Sequence, residues 1–185
     1  MKNNTLIIKT IVLAVCCAVI SVSFFPFHAN AGYDVEGRLN GTEIISGRIY
    51  SIRSVFDSPR YIDVTNGLTD DGSDVWTYPY NGALCQEWEI TKVSGTDEYM
   101  IKDMHSGKYL SIWASSSGEG ANAWIWHNDG TSGQRFHFEY VSGNRFIIKT
   151  KCSGYNKALA IDSVTHNISC FCGRFMHRKI QFGFF

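Results

Sequence analysis

Three segments of the chain repeat one another at an interval of about 48 residues. The matching aromatic positions are Tyr50, Tyr99 and Phe146, and the matching aliphatic positions are Ile62, Leu110 and Leu159. Chance clustering of apolar residues would not keep two kinds of landmark in phase across three copies, so the pattern indicates an internal repeat. A chain of this kind is restricted to architectures in which three similar units share one interior.

Each copy is predicted to contain four short strands. Apolar residues alternate in Tyr50/Ile52 and in Ile62/Val64, which is the spacing of a strand with one buried face. Turns such as Ser106-Gly107 separate these segments, and no stretch longer than about ten residues has a helical stripe. The sequence therefore predicts an all-β fold of about twelve strands, in which three units packed around a common axis close a barrel and remove most free strand edges.

The first thirty-one residues differ from the rest of the chain. Lys2 and Lys9 precede a mainly apolar run over 11–27, and Ala29-Asn30-Ala31 resembles a signal-peptidase site. We therefore predict a cleaved signal peptide over 1–31, an N-terminal extension over 32–45, and secretion. A membrane anchor is the alternative, and it is disfavoured because the apolar run is short for a bilayer and is followed by small residues and a turn.

Charge is balanced along the chain, with 17 Lys plus Arg against 17 Asp plus Glu. Without a basic run or an acidic tail, nucleic acid and anionic membranes are poor candidates for the primary partner. The export signal places the remaining cysteines in an oxidising compartment, where disulfides can form. We predict a local bridge from Cys152 to Cys170 or Cys172, and the alternative is that some of these residues stay as buried thiols.

Two copies end on a Gln-x-aromatic motif, Gln86-Glu87-Trp88 and Gln134-Arg135-Phe136. The second copy also has a Ser-Gly-Lys-x-Leu turn at 106–110. In phase with the repeat, these motifs resemble the ricin-B type lectin family over about residues 46–185. The resemblance implies a β-trefoil with pseudo-threefold symmetry, built from repeats 46–93, 94–141 and 142–185, and it implies carbohydrate binding.

The third copy departs from the motif. Counting from Gly173 places Gln181 at the motif glutamine, but Gly183 then stands where the other copies have an aromatic residue. A shifted register would instead turn three other residues inward, Ile180, Phe182 and Phe184. Spacing alone leaves both registers open.

The resemblance also implies where sugar would bind. Each pocket of the family uses an Asp in the second strand, an aromatic residue after the third, and a polar residue just before the motif glutamine. In the first copy these positions predict Asp63, Tyr78 and Gln86 as binding residues, with Cys85 where an Asn is usual. An aromatic face covers the apolar side of a pyranose, while carboxylates and amides bond its hydroxyls.

In the second copy the same positions predict Trp126 as the aromatic platform. Ser111 replaces the Asp, Gly133 replaces the Asn, and Gln134 is the motif glutamine. Further polar contacts are predicted from His127 and Asn128. In the third copy Ala160 takes the Asp position and Gly173 the aromatic position, so that pocket is expected to be inactive.

Structural interpretations compete with these site predictions. Asp63 can cap a turn or face solvent, Tyr78 can pack within its loop, and Trp124 and Trp126 can bracket the sheet. The two motif glutamines are better explained as structural, because a buried amide must find partners and loop backbone supplies them.

Motifs for catalysis or metal binding are absent from the sequence. There is no H-E-x-x-H, G-x-S-x-G or P-loop, and Cys170-Phe171-Cys172 is not a C-x-x-C pair. We therefore predict no cofactor, no metal site and no enzymatic activity. A small secreted hydrolase with an unrecognised carboxylate pair remains a rival hypothesis.

The predicted function is that of a secreted lectin. It is expected to recognise galactose-type or related glycans on a cell surface or polysaccharide through shallow aromatic/Asp pockets, without nucleic acid and without membrane insertion. Single shallow sites bind weakly, so several sites or a toxin or enzyme partner subunit would strengthen attachment. The alternative is a secreted trefoil that binds a protein, as an inhibitor or receptor ligand, with no sugar site.

Overall fold

A computed structural model describes residues 43–55, 58–162 and 165–172, and the backbone of 182–184. The predicted signal peptide and most of the N-terminal extension lie outside these residues. Among the described residues, no helix is long and apolar enough to cross a membrane. The domain boundaries therefore stay as predictions from the sequence.

The described chain consists of twelve strands joined by turns. The first copy supplies β1 (Arg48–Ser54), β2 (Tyr61–Val64), β3 (Val75–Tyr78) and β4 (Glu87–Lys92). The second supplies β5 (Tyr99–Asp103), β6 (Tyr109–Ile112), β7 (Ala121–Trp126) and β8 (Phe136–Ser142). The third supplies β9 (Arg145–Thr150), β10 (Lys157–Ile161), β11 (Ile168–Cys172) and β12 (Phe182–Phe184). Short 3₁₀ turns connect some of them, at Thr65–Gly67, Leu84–Gln86, Trp113–Ser115, Ser132–Gln134 and Lys151–Ser153.

Six strands close a barrel. Antiparallel pairing runs from β1 to β4, β5, β8, β9 and β12, and β12 pairs with β1 again. The remaining strands form three hairpins, β2–β3, β6–β7 and β10–β11. These hairpins meet through β7–β11 pairing and through the bridges Asp74–Trp124 and Trp76–Asn167. This threefold arrangement confirms the β-trefoil predicted from the repeat.

Equivalent side chains of the three copies fill the barrel. Ile52, Ile101 and Ile148 are fully buried, one from each copy. Trp88 and Phe136, the aromatic residues of the Gln-x-aromatic motif, are also fully buried. Trp88 keeps its indole N–H satisfied by donating to the Ile62 carbonyl at 3.0 Å. Burying one such side chain contributes roughly 2–3 kcal/mol, so the repeated landmarks are primarily core positions.

The backbone register decides between the two alignments of the third copy. Phe182 of β12 lies opposite Ser54, as Trp88 lies opposite Asp103 and Phe136 opposite Thr150. Phe182 therefore takes the position of the motif aromatic residue, and Gly183 does not. The alignment through Gln181, which itself lies outside the described residues, is wrong.

The cysteines do not show the bridge that the sequence favours. Cys85, Cys152 and Cys170 are free thiols, so a Cys152–Cys170 disulfide is not present. The Cys170 thiol instead hydrogen-bonds Cys152 and lowers the pKa of Cys152 to about 7. The alternative bridge to Cys172 involves a side chain outside the described residues.

Candidate functional site

The motif glutamine of the first copy holds a loop. Gln86 is fully buried. Its Oε1 accepts from the Asn81 backbone N–H at 3.0 Å, and its Nε2 donates to the Pro79 carbonyl at 3.0 Å. The amide therefore holds the segment that follows β3, and the Gln86 side chain also hydrogen-bonds Asp63.

Gln134 repeats these contacts in the second copy. It is also fully buried. Its Nε2 donates to the His127 carbonyl at 2.7 Å, and its Oε1 accepts from the Asp129 N–H at 3.1 Å. Both glutamines thus act by fixing the loop after the third strand of their copy, as the structural interpretation expects. Neither has exposed surface with which to touch a glycan.

The carboxylate predicted for the first pocket is turned inward. Asp63 is only 3% exposed. Its Oδ1 accepts from the Trp76 indole N–H at 3.0 Å, and the Cys85 thiol lies 3.8 Å from its Oδ2. Burial raises the pKa of Asp63, although these hydrogen bonds oppose the rise. Both carboxylate oxygens therefore face protein donors, and Asp63 forms no open acidic cup.

Tyr78 remains at the surface beside this closed position. Its ring is 41% exposed and stacks on Trp76, with centroids 5.4 Å apart and planes 24° apart. Tyr80 and Tyr61 form a second contact nearby, at 4.9 Å. The first copy thus presents an aromatic surface whose only predicted carboxylate is covered by Trp76.

The second copy differs from the first at the residue opposite Trp124, which is the equivalent of Trp76. Ser111 faces Trp124 across the β6–β7 hairpin, at the register where Asp63 faces Trp76. Trp124 has no carboxylate to bind and stacks on Trp126 instead, with centroids 5.0 Å apart and planes 17° apart. Trp124 and Trp126 therefore form a half-buried double layer of indoles.

A third indole stands at an angle to this pair. Trp113 is 53% exposed and meets Trp124 edge to face at 6.5 Å. It sits in a 3₁₀ turn whose next two residues, Ala114 and Ser115, have φ of 50° and 52°. This left-handed conformation costs of order 1 kcal/mol or more in a residue with a Cβ. The equivalent first-copy turn uses Asn66 and Gly67, which tolerate it better.

These three tryptophans wall a cleft of about 410 Å³. Its polar lining comes from Ser111, Ser115, Asp129 and Thr131. That volume lies within the range of small-ligand sites, which combine aromatic walls with a few polar groups. Of the second-copy binding residues predicted from sequence, the structure brings Ser111 and Trp126 into the cleft.

Asn128 does not line this cleft. Its Oδ1 accepts from the Gly130 N–H at 3.2 Å within its own turn. The next residue, Asp129, takes the polar position instead, and its Oδ1 accepts from the Thr131 N–H at 2.9 Å. Sequence reasoning missed Asp129 and Thr131 because the register of this loop is set by the buried Gln134 amide.

Gly133, a buried residue packed against the lining residues Ile112 and Ser115, has room for no side chain. A Cβ at this residue would lie 2.8 Å from the Ile112 carbonyl oxygen and 2.9 Å from Ser115 Oγ. Ser115 Oγ accepts from the Gly133 N–H at 2.9 Å. The second copy therefore replaces the usual Asn by backbone and a serine hydroxyl from the preceding turn.

One rim of the site carries a charged cluster. Asp71 bonds Lys108 Nζ at 2.5 Å and His127 Nδ1 at 2.8 Å. The hydrogen bond from Lys108, followed by that from His127, lowers the pKa of Asp71 to about 2. The His127 ring also lies 5.3 Å from Trp126. Asp71, in a loop of the first copy, thus holds the His127 ring beside Trp126 of the second copy.

The third copy has a different aromatic residue from the one that spacing predicts. Phe171 lies opposite Ala158, as Trp126 lies opposite Tyr109. The aromatic position is therefore Phe171, and its assignment to Gly173 is wrong. Ala160 is 2% exposed and supplies no polar group at the position where Asp63 stands in the first copy.

Metal ligands do not assemble in the part of the chain that the structure describes. No group of three or more His, Cys, Asp or Glu side chains there is arranged to hold an ion. The chemistry available at the cleft is therefore that of aromatic surface, hydroxyls and one carboxylate.

Comparison with known proteins agrees with the fold. A family model described as a ricin-type β-trefoil lectin domain-like family matches residues 84–167. The designed threefold-symmetric protein ThreeFoil superposes with a TM-score of 0.64 at 24% identity, covering 74% of this chain and 96% of that one. A ricin B-like lectin from Macrolepiota procera, solved in complex with lactose, gives 0.62 at 18% identity, covering 77% and 98%.

An exo-β-1,3-galactanase from Clostridium thermocellum gives a TM-score of 0.68 at 18% identity. The match covers 77% of this chain but only 31% of the galactanase. A comparison with curated proteins gives no match. The family match over residues 84–167 and the fold together confirm the resemblance predicted from the motifs: the described chain is a β-trefoil, and this part of it is similar to ricin-type lectin domains.

Proposed function

We propose that this protein binds carbohydrate through the second-copy cleft and has no catalytic activity of its own. The observation that carries the proposal is the wall of three tryptophans, Trp113, Trp124 and Trp126, beside two exposed polar residues, Asp129 and Thr131. Among the described residues, nothing accepts a hydrogen bond from Trp124 Nε1, whereas Trp76 spends its N–H on Asp63. The second copy thus combines exposed aromatic surface with free polar groups, whereas the exposed aromatic surface of the first copy lies beside a carboxylate that is already bonded.

The chemistry of the cleft fits a pyranose. The apolar C–H face of a sugar can lie on the Trp126 or Trp124 ring, where the electron-rich face of the indole attracts it. Asp129 Oδ2 and the Thr131 hydroxyl, both on exposed residues, then offer acceptors and a donor for adjacent sugar hydroxyls. Galactose-type glycans are the proposed ligands, supported by the lactose complex of the Macrolepiota procera lectin.

Location and partners belong to the same proposal. The N-terminal pattern of charged, apolar and small residues supports export and removal of residues 1–31. A shallow single site gives weak attachment, so binding becomes useful when the module acts beside a second site, a toxin subunit or an enzyme. The galactanase, which is more than three times the length matched here, shows that this fold occurs within a longer enzyme chain.

The test is a neutral glycan array followed by calorimetry on the best ligand, with Trp126→Ala and Tyr78→Ala compared. Tyr78 occupies in the first copy the register position that Trp126 occupies in the second, so it is a matched control. We expect at least a tenfold loss of affinity for Trp126→Ala, or about 1.4 kcal/mol, and less than a twofold change for Tyr78→Ala.

Circular dichroism should confirm that both variants keep the trefoil. Retained affinity in Trp126→Ala would place the site elsewhere, and a loss confined to Tyr78→Ala would move it to the first copy. An array without any bound glycan would favour the alternative of a trefoil that binds a protein partner.

A further inference from the structure

A second cleft adjoins the first and shares two of its tryptophans. It has a volume of about 580 Å³ and includes Trp113 and Trp124, which also line the first cleft. Its other walls come from two copies of the repeat. Gly72 and Asp74 belong to the first copy, while Glu119 and Asn122 belong to the second. The Trp124 indole is thus a partition between two neighbouring depressions in one surface.

This partition is held rigidly by the first-copy loop. A Cβ at Gly72 would lie 3.5 Å from the Trp124 ring, so the bare backbone packs against the indole. Gly72 has φ of 85°, a conformation that favours glycine. Its N–H donates to the Ile125 carbonyl at 2.9 Å, and Asp74 forms a backbone bridge with Trp124. The two clefts therefore keep a fixed spacing across Trp124.

The second cleft carries a carboxylate paired with an amide. Asn122 Nδ2 donates to Asp74 Oδ1 at 2.6 Å, which fixes both side chains. Asp74 Oδ2 and the Asn122 amide oxygen stay available as acceptors, and the second Asn122 N–H stays available as a donor. A fixed acceptor and donor side by side match the two neighbouring hydroxyls of a sugar ring. Asp63 offers no such free acceptor in the first copy, because both of its carboxylate oxygens face protein donors.

We propose that the two clefts form one extended site, which takes a neutral oligosaccharide of at least three sugar units laid across Trp124. This proposal rests on the proposed function, because it requires that the first cleft bind sugar. The first cleft holds the galactose-containing end, and the Asp74–Asn122 pair holds the next unit along the chain. The ligand class is therefore defined by length as well as by the terminal sugar.

Charge excludes acidic glycans from the second cleft. Asp74 and Glu119 line it, and no Lys, Arg or His is among its lining residues. The ammonium groups of Lys108 and Lys157 are engaged elsewhere. Lys108 bonds Asp71, and Lys157 donates to the Ser117 carbonyl. A sugar carboxylate or sulfate would meet two like charges without a counter-ion, which makes neutral glycans the favoured class.

Calorimetry on the mature protein with four small glycans tests the extension. Lactose probes the first cleft, while lacto-N-triose and globotriaose extend lactose by one neutral unit in different linkages. Sialyllactose with a 3′ linkage extends it by one acidic unit. We expect one of the neutral trisaccharides to bind about tenfold more tightly than lactose, and sialyllactose to bind no more tightly than lactose.

Asp74→Ala is expected to remove the tenfold gain while leaving lactose affinity within twofold. Glu119→Gln, a second exposed carboxylate of the cleft, should raise sialyllactose affinity, which provides a readout if Asp74→Ala folds poorly. Asp97→Asn removes a carboxylate that is 85% exposed and paired with Lys92, and it serves as a control with no expected effect.

The outcomes separate the two proposals. Lactose binding with no gain for either trisaccharide, or a gain that survives Asp74→Ala, overturns the extended site and leaves the proposed function standing. Sialyllactose binding as tightly as the better neutral trisaccharide overturns the charge argument. Absence of binding to lactose and to every glycan of the array overturns the proposed function, and the extension with it.

Discussion

Replacing Gln134 by alanine separates the structural role of the motif from its effect on binding. The buried amide makes two hydrogen bonds to loop backbone, at 2.7 Å to the His127 carbonyl and 3.1 Å to the Asp129 N–H. Each bond contributes about 1 kcal/mol, and the groups left behind lose part of their solvation as well. Since both partner residues are exposed and water can reach them, we expect a total loss of about 2–3 kcal/mol.

Gln86→Ala provides the matched control because its bonds have the same pattern, both at 3.0 Å, in the first copy. Both variants should unfold at lower urea concentration, with unchanged m-values and melting temperatures lowered by roughly 5–10 °C. A trefoil of ordinary stability, about 5–15 kcal/mol, remains folded after such a loss.

Glycan affinity should distinguish the two variants. Gln134 fixes the loop that carries Asp129 and Thr131 into the cleft, so Gln134→Ala should weaken binding about tenfold, or 1.4 kcal/mol. Gln86 fixes a loop outside this cleft, so Gln86→Ala should leave affinity within twofold. Equal losses of affinity in the two variants, or full stability of Gln134→Ala, would refute the reasoning.

Two further predictions concern stability. Burial raises the pKa of Asp63 above its value in the unfolded chain, so ionisation of this carboxyl lowers the free energy of unfolding as the pH rises through the two pKa values. Asp63→Asn keeps an acceptor for the Trp76 N–H and does not ionise. Urea titrations should therefore show a larger gain in stability over the parent protein at pH 7 than at pH 3. An equal difference at both pH values would contradict it. Gly133→Asn introduces the residue that the family resemblance implies at this position, yet its Cβ would meet the Ile112 carbonyl at 2.8 Å, so thermal unfolding should show a loss of about 1–3 kcal/mol. A stabilised Gly133→Asn protein would show that the Ile112 backbone beside Gly133 can move.

The sequence predicted the strands, the turns and the threefold repeat because these features depend on residues that are close in the chain and because the same pattern occurs in three copies. Strand alternation, glycine turns and the Gln-x-aromatic motif depend on residues within a few positions of one another. The predictions for the third copy were wrong at two positions, Gln181 and Gly173, because counting by motif spacing assumes that the loops of all three copies have equal lengths. Strand pairing instead aligns Phe182 and Phe171 with the aromatic positions of the other copies.

The candidate site was predicted in part. Trp126 and Ser111 follow from counting along the repeat, and both line the cleft. Trp113 belongs to no motif. The equivalent residue of the first copy is Thr65, so the sequence does show that the second copy has an additional aromatic residue at this position. The polar residue that lines the cleft is Asp129, one residue after the predicted Asn128, because the buried Gln134 amide fixes the conformation of that loop.

The sequence alone determined that three similar units share one core, since a repeat of about 48 residues cannot bury its apolar face by itself. Only the tertiary structure decided which copy is open. Asp63 and Trp76 are 13 residues apart, and their hydrogen bond closes the first pocket, while Asp74 and Asn122 are 48 residues apart and meet between copies. Such contacts depend on how strands and loops pack in three dimensions, and no local pattern of residues encodes them.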